Sequence, residues 1–93
     1  QVETKSRLES RLESRLESRL ASRIILLLRD NTAGKAELAR LLGHATVSGE
    51  LHKQIRRLAG LGWIEMTIPE KPKSRMQKYR LTEKGKTALE EEK

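Results

Sequence analysis

At Gly62 the spacing of apolar residues changes, and that change restricts the chain to a short list of folds. Ahead of it, Leu and Ile recur every three or four residues, the period of a helix face. Beyond it, Trp63-Ile64-Glu65-Met66-Thr67-Ile68 alternates, the period of a half-buried strand, with Ile64, Met66 and Ile68 on one side. Pro69-Glu70-Lys71-Pro72-Lys73-Ser74-Arg75 then interrupts with two prolines and three basic residues. Extended structure resumes at Gln77-Lys78-Tyr79-Arg80-Leu81, where Tyr79 and Leu81 share a face. This predicts a β-hairpin with a long, rigid, cationic tip. Thr82 can cap a last helix through Ala88 and Leu89, with Glu90 to Lys93 frayed.

Three helices are expected before the hairpin. The first runs from Leu20 to about Arg29, dense in Leu20, Ile24, Ile25, Leu27 and Leu28, and is ended by Asp30-Asn31-Thr32. The second runs from about Lys35 to Leu42, with Leu38, Leu41 and Leu42 inward. Gly34 stands at its N-cap and Glu37 three residues on, while Gly43 suits a left-handed C′ position. After a short turn, His44-Ala45-Thr46-Val47, the third is capped by Ser48 and buries Leu51, Ile55, Leu58 and Leu61. His52, Lys53, Arg56 and Arg57 make a basic strip beside that face. Helix, glycine-marked turn and basic helix describe a helix-turn-helix, and the hairpin makes it a winged one.

Residues 6–17 are three perfect copies of Ser-Arg-Leu-Glu, followed by decayed copies at Ser18-Arg19-Leu20-Ala21 and Ser22-Arg23-Ile24-Ile25. In a helix each step of four turns the leucine stripe by about 40°. As a strand, Ser and Leu would share one face while Arg and Glu alternate on the other, suiting pairing between chains. A charge-balanced linker is a third reading. Residue propensities favour the helix, and either ordered form is expected to need a partner, because one leucine in four buries little alone. The prediction is therefore an oligomerisation segment over residues 1–19, acting through Leu8, Leu12, Leu16 and Leu20, ahead of a winged helix-turn-helix domain over residues 20–93. The expected fold class is mainly α with a small β-hairpin; inter-chain β assembly of the repeat is the alternative.

Charge bears on the partner. The 93 residues carry a net charge of +7, and from Ser48 to Arg80 there are eight basic residues against three acids. Base contacts are expected from Gln54, Arg56 or Arg57, with Ser48, His52 and Lys53 on the same helix. Phosphate contacts are expected from Lys71, Lys73, Arg75 and Lys78 in the hairpin. The expected partners are double-stranded DNA and further copies of the chain through residues 6–20. The rival is a structural or protein-interaction module whose repeat drives oligomer or filament assembly without DNA.

Enzyme chemistry finds little support. There is no cysteine, His44 and His52 are the only histidines, and Asp30 is the only aspartate. No nucleophile-elbow spacing surrounds any serine, and no glycine-rich phosphate loop is present. No catalytic residue, metal, cofactor or small-molecule substrate is expected. The longest apolar run, Ile24 to Leu28, is too short to cross a bilayer. The chain opens on Gln1 without a visible signal peptide, which predicts a piece of a longer protein.

The run from Ile64 to Gly85, containing Pro69-Glu70-Lys71-Pro72 and Tyr79-Arg80-Leu81-Thr82-Glu83-Lys84-Gly85, carries a resemblance, as do Gly43-His44 and the run from Ser48 to Arg57. These residues resemble the C-terminal winged-helix module of bacterial Fic-type proteins and of Schlafen-like, AlbA-type ATP-binding transcriptional regulators. The likeness covers about Leu20 to Ala88 and departs at Gly34, where a serine cap is more usual. It implies a bacterial, cytoplasmic, DNA-binding tail on a larger regulator whose ATP-handling or AMP-transferring part is elsewhere. It also implies that four-residue repeats often precede the module, some with proline in the leucine position. Proline cannot recur every fourth residue in a helix, which keeps the β alternative open.

Overall fold

The computed structural model describes residues 2–44 and 48–91. In chain order the elements are α1 (Val2–Leu16), α2 (Arg19–Leu28), α3 (Lys35–Leu41), α4 (Gly49–Gly60), β1 (Ile64–Met66), β2 (Tyr79–Leu81) and α5 (Glu83–Glu91). The chain is mainly helical with one antiparallel hairpin, the class its apolar periods predict. The turn expected across residues 45–47 lies outside the described residues, as do Glu92 and Lys93; Glu90 and Glu91, expected to fray, close α5.

The repeat is helical, and its leucines are covered within the chain. Leu8, Leu12 and Leu16 are buried in the same core as Ala21, Ile24, Ile25 and Leu28 of α2, and Leu20 packs part-buried against it. The surface that an ordered repeat was expected to need is supplied here by α2. The three leucines span only about 80° of helix surface, so one facing helix can cover them all. Their burial contributes about 1.5–3 kcal/mol each, enough to hold a helix that would be marginal alone. Glu9–Arg23 and Glu13–Arg19, each at 4.0 Å, pair across the two antiparallel helices. At its C-terminal end, α1 is tied to the rest of the domain by Arg15, which lies 5.2 Å from the Trp63 ring centroid and 3.2 Å from Glu91.

Between α1 and α2 the chain reverses in two residues. Glu17 takes a left-handed backbone (φ 56°), the Ser18 N–H donates to the Glu13 carbonyl at 3.3 Å, and Ser18 Oγ caps α2 by accepting from the Ala21 N–H at 3.0 Å. Nothing in the sequence sets this Glu-Ser pair apart from the earlier ones; the position of the α2 core residues selects it.

Helix α3 is capped by Gly34, whose N–H donates to Glu37 Oε1 at 2.9 Å, and is followed by Gly43 with φ +85°. It buries Leu38 and Ala39. Leu41, expected inward, is 58% exposed. Helix α4 buries Leu51, Gln54, Ile55 and Leu58, the full i, i+3, i+4, i+7 set. Leu61, expected on that face, is the helix C-cap and is 41% exposed.

The hairpin pairs Ile64 with Leu81, Glu65 with Arg80 and Met66 with Tyr79. Ala33 adds a one-residue bridge to Tyr79 on the other edge. The strands are shorter than the alternation predicts: the Thr67 N–H still donates to the Lys78 carbonyl at 2.9 Å, but at Ile68 a side chain replaces the opposite strand. Gln77 is buried at the neck of the hairpin, where its Oε1 accepts from the Ile68 N–H at 2.9 Å. Its Nε2 donates to the carbonyls of Ile68 and Lys71. Thr82 caps α5 by accepting from the Gly85 N–H at 3.1 Å. No helix among the described residues is long and apolar enough to cross a membrane.

Candidate nucleic-acid interface

Helix α4 presents its cations because its other side is committed to the core. With Leu51, Gln54, Ile55 and Leu58 inward, the exposed positions include Lys53 and Arg56, with His52 and Arg57 half-buried at the margins. Ser48 sits at the helix start, its hydroxyl accepting from the Leu51 N–H at 3.1 Å, so its first task is capping.

Gln54 is a correction to the expected base-reading set. It is only 6% exposed and occupies the i+3 slot of the buried stripe. Its Nε2 donates to Glu50 at 2.7 Å, and its Oε1 accepts from Arg57 at 3.3 Å. Both ends of the amide are therefore used within the helix, and Arg57 is steered by the same network. The complete i, i+3, i+4, i+7 period was the signal available for finding this, but a polar residue in an apolar slot hides it.

The start of α3 links α4 to the wing. Lys35 Nζ lies 3.0 Å from His52 Nδ1, within hydrogen-bond reach of the ring. Two residues on, Glu37 meets Lys78 of the hairpin stem at 3.3 Å. The Glu37 carboxyl is held below the usual carboxylate range, first by the Gly34 N–H it accepts and then by the Lys78 ammonium. A cleft of ≈ 390 Å³ opens between these elements, lined by Gly34 to Glu37 on one side and Pro72 to Arg75, Gln77, Lys78 and Tyr79 on the other.

Lys71, Lys73 and Arg75 are exposed on the wing. Among the described residues, Lys53, Arg56, Lys71, Lys73 and Arg75 take part in no ion pair, whereas Lys78 is held by Glu37 and Arg80 by Glu65 at 2.7 Å. Lys35 is a basic residue at this edge that sequence reasoning missed. The charge count began at Ser48, and only the helix-turn-helix packing brings α3 alongside. The expected self-association residues fall elsewhere: Leu8, Leu12 and Leu16 lie under α2.

A family model described as "Filamentation induced by cAMP protein Fic-like, C-terminal domain" matches residues 21–82. The matched span runs from α2 to the end of β2, leaving α1 and α5 outside. No curated protein and no solved structure matched the chain. With two thirds of its length in the match, and with the helices and hairpin of that span folded as one winged unit, the chain belongs to the Fic-like C-terminal domain family.

Proposed function

We propose that the chain is a double-stranded DNA-binding module in which α4 enters the major groove and the wing lies along an adjacent phosphate backbone. The observation that carries this reading is the pair of contacts made by the start of α3, Lys35 to His52 and Glu37 to Lys78. They tie the cationic strip of α4 and the stem of the cationic wing to one short helix start. Lys53 and Arg56 on α4, and Lys73 and Arg75 on the wing, are exposed with no acid paired to them among the described residues. Guanidinium groups on such a helix suit guanine O6 and N7, while the wing cations neutralise phosphates and release counterions. The biological setting inferred from the resemblance is the bacterial cytoplasm, as the DNA-binding tail of a larger regulator.

Fluorescence anisotropy on random duplex DNA across a salt series tests it. Log affinity is expected to fall linearly with log salt, at a slope of about −0.9 per phosphate neutralised. The double change Arg56→Glu with Arg57→Glu is expected to weaken binding at least tenfold while Trp63 fluorescence stays native. Absence of binding at low salt rejects the proposal.

A second reading, a protein-interaction module, is favoured by one observation. Exposed Leu41 stands beside part-buried Leu26, Leu27 and Leu42 in a groove bordered by Arg23, Arg29 and Asp30. A leucine stripe with a charged rim of this kind suits an amphipathic partner helix.

A further inference from the structure

Glu17 is the one non-glycine residue with a left-handed backbone among the described residues. It stands at the C′ position of α1, where the Ser18 N–H to Glu13 carbonyl bond closes a Schellman turn. Glycine is favoured there, because a β-carbon crowds the following carbonyl in this conformation. The letters on either side pull the other way. Leu16-Glu17-Ser18-Arg19-Leu20-Ala21 contains no glycine or proline, and its residues are good to fair helix formers.

The apolar period also runs straight through the turn. Leu8, Leu12, Leu16, Leu20, Ile24 and Leu28 occupy every fourth position without a break. The pairing across the turn is centred on the same point. Glu9 meets Arg23 and Glu13 meets Arg19, two pairs symmetric about Leu16. An antiparallel pair of opened helices centred on Leu16 would repeat both ion pairs between chains, wrapping right-handedly so that the stripe, which drifts about 40° per repeat, stays on the α2 surface of the other copy.

From this hinge and register we infer that the chain exchanges α1 with a second copy of itself, the turn at Glu17-Ser18 opening into one continuous helix. Each α1 then packs on the α2 of the second copy in a two-fold dimer. Short, strained connections between packed elements are where such exchange is cheapest. Straightening releases the Glu17 backbone and keeps its hydrogen bonds in helix, while every side-chain contact of α1 is recovered from the other chain. The leucines of the repeat thereby serve the monomer core and the dimer interface alike. The inference does not rest on DNA binding, and its test contains no DNA.

The test is refolding of the full chain at high concentration, sedimentation velocity, and cross-linking of a Glu9→Cys, Arg23→Cys double variant with a short bis-maleimide. The chain has no cysteine of its own, so each link is unambiguous. The expected result is a dimer fraction in which the link joins two chains and a monomer fraction in which it closes one. Glu17→Gly, which accepts the left-handed turn and disfavours continuous helix, is expected to weaken the dimer at least tenfold; Glu17→Ala is expected to keep it. A dimer whose links all lie within one chain overturns the inference. So does a chain that stays monomeric after refolding at millimolar concentration, or a Glu17→Gly dimer as tight as the original.

Discussion

Gly85 passes so close to Trp63 that a β-carbon added to it would collide with the Trp63 carbonyl oxygen. The same carbonyl accepts the Thr82 N–H at 3.0 Å, so the start of α5, the end of β2 and the entry to β1 meet at one backbone group. Alanine is intrinsically the better helix residue, by about 1 kcal/mol. Here the steric cost wins, since the obstacle is main chain. Gly85→Ala is expected to destabilise the fold by about 1–3 kcal/mol. Urea unfolding followed by Trp63 fluorescence checks it, Trp63 being the sole tryptophan.

Acid should loosen the joint between α3 and the wing. The Glu37 carboxyl is lowered by the Gly34 N–H and then by Lys78. A depressed folded value means that this stabilisation is fully present above the unfolded glutamate value of about 4.3, and is lost as pH falls through the folded one. Glu37→Gln is neutral throughout. The stability difference between the two proteins, read from urea midpoints, is expected to shrink as pH falls below about 4. A difference that stays constant down to pH 2 contradicts this account.

At the alkaline end the sole tyrosine reports. Burial pushes the Tyr79 hydroxyl above its ordinary value, because the phenolate is the form that loses hydration. The native state therefore disfavours ionisation. This contribution is intact below about pH 10 and disappears as pH rises through the raised folded value. Phenolate absorbance is expected to appear later in the folded protein than in urea. Tyr79→Phe should remove the signal and the pH-dependent loss of stability attached to it.

Gln77 holds the neck of the wing by bonding the backbone of Ile68 and Lys71 from inside. Leucine fills similar volume but leaves the Ile68 N–H without a partner, while the Ile68 and Lys71 carbonyls keep the N–H groups of Lys71 and Ser74; the cost is about 1–3 kcal/mol for a buried unsatisfied polar group. Gln77→Leu should therefore speed hydrogen exchange at the Ile68 amide far more than at the amides of α4. If the wing contacts phosphate, the same change flattens the salt dependence of DNA binding without abolishing it.

Much of the fold was legible because local and tertiary preferences agree. Ser48, Thr82 and Gly43 mark ends that capping chemistry requires, and the change of period at Gly62 separates helices from hairpin. Legibility failed where tertiary packing overrode a residue's type. Gln54 fills an apolar slot and Gln77 substitutes for strand pairing, each because its amide finds partners that only the folded chain supplies. Leu41 and Leu61 were expected inward from their type, yet they sit at helix ends that turn away from the core. For the site, the exposed α4 and wing cations could be read directly, whereas Lys35 joins them only through the crossing of α3 and α4. The turn at Glu17 could not be read at all, since identical units offer identical turns.

The slow rotation of the repeat around α1 also sets a ceiling. Leu8, Leu12 and Leu16 fill an arc of about 80°, close to the width a facing helix can cover. One more Ser-Arg-Leu-Glu unit ahead of Ser6 would carry its leucine about 120° round from Leu16, off the seam and into water. Extra units gained by slippage during replication would therefore lengthen the rod without thickening what it leans on. The hydrophobic seat is a rack with three teeth, however long the rack becomes.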